Sequence, residues 1–359
     1  MFSARVKKSA LGLSCLALIA GLPAMPAAAD QAQAPASSDA PVTWAPAPNS
    51  VVNPSKNTAL DAWESYKGKF TKPSVDQHLD DPALHGAIDL HAHFGPDSYS
   101  RQWDAFEIAK LAKARGMRGL VLKNHWTESA GTAYLVRKYA DVPGLEVFGG
   151  LALNTTIGGV NPQAVRYFAE VEGHYAKIVW MPSHDSEKEV KFLKESRPYV
   201  IVSKDGALLP SVLEVLDLIA QYKLTLATGH VSPEEMLQIV AEARKRGVDR
   251  IVITHPGLGP MFTDPTIDQL KQAVAMGAYV EIVSTELGDK LRDATIKAIR
   301  TVGPEHCIVS SDSGLTGSRN HPDALAGAAK ALRAAGFSDA DLTLMFKTNP
   351  AKALGLPVQ

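Results

Sequence analysis

Ile88-Asp89-Leu90-His91-Ala92-His93-Phe94 is the stretch that decides how the rest of the chain is read. It is a short apolar run ending in His-x-His. On a β-strand alternate side chains share a face, so His91 and His93 point the same way. Asp89 has the same parity and lies one step deeper, where a carboxylate can orient a ligand imidazole. Two imidazoles on one rigid face can hold one ion, and imidazole suits zinc or iron. Alone the pattern is weak, since two packed or exposed histidines look identical. Its weight comes from the ends of later runs.

Those runs recur with a steady rhythm. Short apolar segments occupy Ala87–Phe94, Gly119–Lys123, Leu145–Leu153, Ala176–Met181, Leu224–Thr228, Arg250–Thr254, Ala278–Ser284 and Cys307–Ser311. A stretch of helical period follows each, as with Phe106, Ile108, Leu111 and Ala112 after the first. Ser232-Pro233-Glu234-Glu235 supplies an N-cap, Pro at N1 and Glu at N3, which opens a helix. Eight such units over residues 86–359 predict an α/β fold, a (β/α)₈ TIM-type barrel. A doubly wound open sheet is the rival, but no Gly-rich phosphate fingerprint follows the first strand. The longest gap, between strands four and five, holds Lys204-Asp205-Gly206 between apolar runs, which predicts a hairpin. An insertion there is expected over the barrel mouth, as a lid or as a passive brace.

Ahead of the barrel the composition changes. Arg5, Lys7 and Lys8 precede an apolar segment from Ala10 to Leu22, and Ala27-Ala28-Ala29 precedes Asp30. Residues 1–29 therefore read as a cleavable signal peptide, cut after Ala29, and the mature protein is expected to be periplasmic or secreted. Gly12-Leu13-Ser14 is a poor lipoprotein box before Cys15, so no lipid anchor is expected. Residues 30–55, rich in Ala, Pro, Ser and Gln, read as a disordered tether. Residues 56–85 form a short N-terminal extension, with Leu60, Trp63 and Tyr66 at helical spacing over 57–68. Cleavage removes three basic residues and no acidic one, moving the formal net charge from −1 to −4. A balance so mild argues against nucleic acid or a membrane surface as partner. Only Cys307 is left, so no internal disulfide can form despite export. A small-molecule substrate is the expected partner, and a homo-oligomer stays open.

In a barrel of this type functional side chains come from the C-terminal ends of strands. Those ends carry His91 and His93, then Lys123 with His125, then Asn154, His230, His255 and Asp312. Surface histidines would not fall at strand ends so repeatedly. Lys123 and His125 repeat the i, i+2 spacing of His91 and His93, so both are expected to face the same interior. Cys307 faces away from Asp312 and reads as a core thiol. Glu281 is either a partner to the site or a paired structural acid. Trp126 and Trp180 either line a pocket or pack. His78, His85, His174, His184, His306 and His321 fall outside the set and read as surface or packing residues, with His184 nearest the mouth.

With these residues in place, residues 86–358 resemble the amidohydrolase superfamily of metal-dependent hydrolases. The shared features are His-x-His on strand one, His on strands five and six, and Asp on strand eight. Asn349-Pro350-Ala351-Lys352-Ala353-Leu354-Gly355-Leu356 is similar to the segment that ends many members, and His-Ala-His-Phe-Gly-Pro-Asp to a little-characterised subgroup. The resemblance implies a divalent metal, zinc first, held by His91, His93 and His230. It implies His255 as ligand or as donor to the substrate oxygen, and Asp312 as ligand and general base. Members with two metals bridge them with a carboxylated Lys or a Glu on strand four. Here Ala176-Lys177-Ile178-Val179-Trp180-Met181 has neither at its C-terminal end, which favours one ion and leaves two open. Lys123 is expected to meet the substrate's anionic group or polarised oxygen. His125 is expected as a donor to the substrate or as ligand to a second ion. The implied activity is hydrolysis of an amide, ester or lactone by metal-activated water. A decarboxylase, a phosphoester hydrolase and a non-catalytic metal-binding barrel are the alternatives.

Overall fold

The structure is a computed structural model and describes residues 50–52, 76–257 and 263–358. The expected signal peptide and the expected 57–68 helix lie outside the described residues.

Strands β1 (Ile88–His93), β2 (Gly119–Lys123), β3 (Glu146–Ala152), β4 (Ala176–Trp180), β5 (Thr225–Ala227), β6 (Ile251–Ile253), β7 (Tyr279–Val283) and β8 (Cys307–Ser310) form one parallel sheet in chain order. The edges then meet. Ala92 bridges Ser313, the Asp312 amide donates to the His91 carbonyl at 3.0 Å, and the His93 amide donates to Ser313 at 3.1 Å. The sheet is a closed barrel, and the open-sheet rival is excluded. A seam made just past β8 places Asp312 beside β1. Gly314 (φ +132°) completes it, because a Cβ there would stand 2.5 Å from the His93 carbonyl oxygen.

Strands of such a barrel are apolar on both faces, since one lines the lumen and the other meets the helices. Ile88, Leu90, Val121, Phe148, Ile178, Trp180, Val252 and Ile308 fill the lumen. Ala351, Ala353 and Leu354 from the C-terminal segment close its base, where Thr225 and Arg250 donate to the Ala353 and Leu354 carbonyls. The outer faces pack under helices that include α1 (Ala105–Ala114), α2 (Ala130–Tyr139) and α3 (Pro162–Ala169). Two adjacent glycines serve both sides of β3: a Cβ on Gly149 would strike the backbone of Ala130 in α2, and one on Gly150 would strike the Trp180 ring in the lumen. The predicted cap at Ser232 forms a full capping box with Glu235. Among the described residues, no helix is long and apolar enough to cross a membrane.

The insertion after β4 divides into two parts. Its first part folds into a short helix, Glu187–Phe192, capped by Ser186. Its second part is the expected hairpin, Ser203–Lys204 against Ala207–Leu208, turned by Asp205 (φ 51°) and Gly206 (φ 82°) as a type I′ turn requires. The hairpin packs outward on helix Pro233–Lys245, with Ser203 donating to Glu235, so it is a brace. Residues 50–52, within the expected tether, have defined structure. Val51–Val52 pairs antiparallel with Tyr199–Val200, and Ser50 is buried, accepting from the Val160 amide at 2.9 Å. Two adjacent β-branched residues suffice to add a strand to an open edge.

Candidate metal centre

The expected parity of β1 fails at one point, and the failure shapes the site. The pairing of β1 with β2 shifts register between Asp89 and Ala92. Leu90 points into the lumen and Ala92 into the outer layer, so Leu90 and His91 are consecutive inward residues. A bulge of this kind re-aims side chains. Asp89 is thereby turned off the histidine face. Its carboxylate accepts from the backbone amides of His91 (3.1 Å) and Ser311 (3.0 Å) and orients no ligand imidazole. Glu281 of β7 does so instead, accepting from His91 Nδ1 at 3.3 Å.

His91 and His93 then meet Asp312 across the seam. Asp312 Oδ1 lies 3.0 Å from His91 Nε2 and 3.2 Å from His93 Nε2. The ligand atoms of these three residues all lie within 4.8 Å of one another. A cation bound at about 2.0–2.1 Å, with bond angles between 90° and 110°, separates neighbouring ligand atoms by about 2.9–3.4 Å. Both Asp312 distances fall in that span, and two imidazoles with a carboxylate are the donor types that suit a divalent ion. Asp312 has φ +48°, a conformation tolerated by Asp, and about a quarter of its side chain is open to the cavity.

Beside this group stand His230 and His255, with Nε2 atoms 3.1 Å apart, and His255 Nε2 is 3.9 Å from Asp312 Oδ2. His230 Nδ1 donates to Glu189 Oε2 at 2.5 Å. Two imidazoles, His91 and His230, are therefore each oriented by a buried carboxylate, which presents the Nε2 lone pair to the centre. Glu189 comes from the short helix of the insertion. The Ser186 hydroxyl accepts from its amide at 3.1 Å and donates to the His230 carbonyl at 2.7 Å. His93 differs, since its Nδ1 accepts from Arg101 Nη2 at 3.1 Å.

Burial governs the charges. It is the largest influence on His91 and works against protonation, but Asp312 and Glu281 together lift that imidazole above its ordinary value. Burial and then Arg101 hold His93 well below its own, and burial with His230 pushes His255 down to about 3. Burial would raise Asp312 and Glu281, yet His91 beside both keeps them ionised, Glu281 at about 2. Lys123 is pushed down to about 8 by burial, against the pull of Asp312. Its Nζ donates to His91 Nε2 at 2.8 Å and lies 5.0 Å from the Trp180 ring, with no carboxylate of the described residues within 4 Å.

A cavity of about 370 Å³ opens over these groups, lined also by Tyr99, Arg101, His125, His184 and Glu286. His125 stacks 4.7 Å from His93, with Nδ1 on Ser183 at 3.1 Å, beside the three-residue ligand group and outside it. Asn154 is structural, holding Ser183, Asp185 and the His125 carbonyl. Trp180 is lumen core, and Cys307 is a buried thiol pushed up by burial. His321 is buried, with Nε2 donating to the His93 carbonyl at 2.8 Å. Sequence reading missed Glu189, Tyr99 and Arg101 as site residues, and His184, read as a surface or packing residue, lines the cavity with them. The one signal at Glu189, Ser186-x-x-Glu189, is the spacing of a helix cap and would have assigned it a different task.

The profile of a family described as "Family of unknown function (DUF6282)" matches residues 86–281. None of the curated proteins matches the chain. Among solved structures, an amidohydrolase from Pseudomonas aeruginosa is 12% identical with a TM-score of 0.53, over 76% of this chain and 98% of that one. A mutant of an organophosphorus hydrolase from Deinococcus radiodurans is 15% identical with a TM-score of 0.51, over 79% and 100%. An amidohydrolase from Burkholderia multivorans with bound zinc is 16% identical with a TM-score of 0.50, over 76% and 99%. These likenesses establish the barrel shared with amidohydrolases.

Proposed function

The chain belongs to DUF6282, a family of unknown function, and from its site we propose a metal-dependent hydrolase of an amide, ester or lactone bond. The observation that carries this is the meeting of His91 Nε2, His93 Nε2 and Asp312 Oδ1 at ligand spacing under an open cavity. A divalent ion held there supplies acidification of a water and polarisation of a carbonyl. Zinc suits the nitrogen and oxygen donors, and a protein of the same fold is solved with it. His230 and His255 complete the ligand shell or hold a second ion.

The chain's own groups divide the remaining work. Asp312, ionised and open to the cavity, takes the proton of the attacking water through Oδ2. His255, neutral at pH 7, donates to the substrate oxygen in the role that leaves Asp312 as ligand and base. Lys123 meets that oxygen or an anionic group of the substrate, since a buried amine without a carboxylate needs a ligand. The mature protein, starting at Asp30, works outside the cytoplasm on a small molecule. Mass spectrometry of the exported form showing Met1 intact would remove that last part.

The test is metal analysis of the purified protein, followed by a screen of amides, lactones, esters and phosphoesters with the ion found. Bound metal with turnover of a carboxyl derivative is the expected result. Turnover of phosphoesters alone, or release of CO₂ from a carboxylic acid, replaces the bond class. Metal without any turnover leaves a binding barrel.

A further inference from the structure

Tyr99 and His184 have no part in the scheme above, and with Glu189 they form a hydrogen-bonded chain. The Tyr99 hydroxyl lies 2.5 Å from His184 Nε2, and His184 Nδ1 donates to Glu189 Oε1 at 3.1 Å. All three are buried and all three line the cavity that Asp312 faces. The His184 ring is pinned, with Tyr99 and Trp126 each edge-on to it at 88° and Arg197 donating to its carbonyl at 2.6 Å. A buried tyrosine hydroxyl needs only one partner, and a backbone carbonyl would serve. What stands here is an imidazole backed by a buried carboxylate, the acid–imidazole–hydroxyl order that moves protons in enzymes.

We propose that Tyr99 is the proton donor to the leaving group, recharged by His184, whose ring Glu189 orients, a role that rests on the hydrolase reading. In the acid form, His184 carries both ring protons, one directed to Glu189 and one to the Tyr99 oxygen. The phenolic proton is then directed at the substrate. As the bond from the carbonyl carbon to the leaving oxygen or nitrogen breaks, that atom takes the Tyr99 proton and Tyr99 takes one from His184 Nε2. His184 is left neutral, with Nδ1–H still on Glu189. The proton that Asp312 removed from the attacking water returns to His184 through the cavity, so one turnover consumes and releases none. Because Glu189 also holds His230, the same carboxylate sets the metal side and the leaving-group side of the cavity.

Phenyl acetate and p-nitrophenyl acetate separate this role from a structural one. General acid catalysis is worth about 10²–10⁴-fold where the leaving group needs a proton. Tyr99→Phe and His184→Gln should each lose that much kcat on phenyl acetate, and at least about tenfold less on p-nitrophenyl acetate, whose phenolate departs unprotonated. Equal losses on both esters would overturn the relay. A second readout needs no turnover: p-nitrophenolate, an oxyanion with a visible absorbance, stands in for the departed group. Wild-type protein should bind it with a shifted band, and either variant should bind about 10–100-fold more weakly, the worth of a hydrogen bond to a charged oxygen. Absence of binding, or equal affinity in the variants, overturns the relay whatever the esters show. Binding that depends on Tyr99 and His184, without hydrolysis of any ester, breaks the hydrolase reading and keeps the donor.

Discussion

The two halves of the centre are built alike and spaced differently. His91 is oriented by Glu281 and His230 by Glu189, and each pairs with a second histidine, His93 or His255. Around His91 and His93, Asp312 closes to 3.0 and 3.2 Å, within the span of one coordination shell. Around His230 and His255 the nearest Asp312 oxygen stands 3.9 Å from His255. The first half has the ligand spacing, and a cation there would displace the Lys123 contact at His91 Nε2 and need His93 in the tautomer that frees Nε2. In the second the tautomer of His230 is set and the geometry is open, as suits a group that meets substrate or accepts a second ion. Orientation of the imidazoles and closure around the ion are thus separate devices, and only closure distinguishes the halves.

Breaking the closed half should cost most. His91→Ala with His93→Ala should abolish bound metal and turnover together while circular dichroism stays that of the wild type, because stability rests on the apolar core. Retained stoichiometric metal would move the centre to the other half. Asp312→Asn comes next. It keeps a substantial share of the metal through its histidines, but an amide cannot take a proton from water, so kcat should fall about 10²–10⁴-fold. Full activity would remove Asp312 from the base role.

The orienting acids sharpen the comparison. Loss of such a partner typically costs about 10–100-fold in metal affinity or activity. Glu281→Gln should show its loss in affinity for the first ion, measured by competition with a chelator. Glu189→Gln should leave that affinity nearly unchanged and show its loss in kcat. Equal effects on affinity would mean that both halves grip one ion. Lys123→Met should raise KM or lower kcat at unchanged metal content. Loss of one of two metal equivalents would instead make it a carboxylated bridge between the halves. The smallest effect on the ion belongs to Arg101→Met, which removes a cation next to His93 Nδ1 that is already paired with Asp97, and should tighten metal binding by about threefold while costing stability. Weaker binding would show that Arg101 positions the ring.

Much of this was legible because it is periodic. Eight apolar runs alternating with helical stretches fix a barrel, and chemistry-bearing residues at their C-terminal ends, His91 to Asp312, fix where the site lies. The bulge that turns Asp89 outward was not legible, since a strand of six residues shows the same parity with or without an extra residue. Glu189 was hidden by a helix cap spacing, and its helix is held at the centre by Ser186 on the His230 carbonyl and by buried Arg197 on the His184 carbonyl. Tyr99 and Arg101 sit on an irregular loop after β1, where no period relates position to direction. Reach across loops is set by tertiary packing, and the linear pattern carries no record of it.

The seam between β1 and β8 has a consequence for how the protein comes to exist. The groups that meet there, such as His91 and Ser311, are separated by 220 residues of chain. During synthesis the first strand must wait for nearly the whole polypeptide before it finds its neighbour, and contacts of such long range make folding slow. Asp312 arrives with that last strand. Nascent or truncated chains that stop at Val302 lack both the stave that closes the barrel and the residue assigned to take the proton. The competence proposed for this site is therefore acquired late, so that appearance of activity in a refolding experiment would time the closing of the barrel itself.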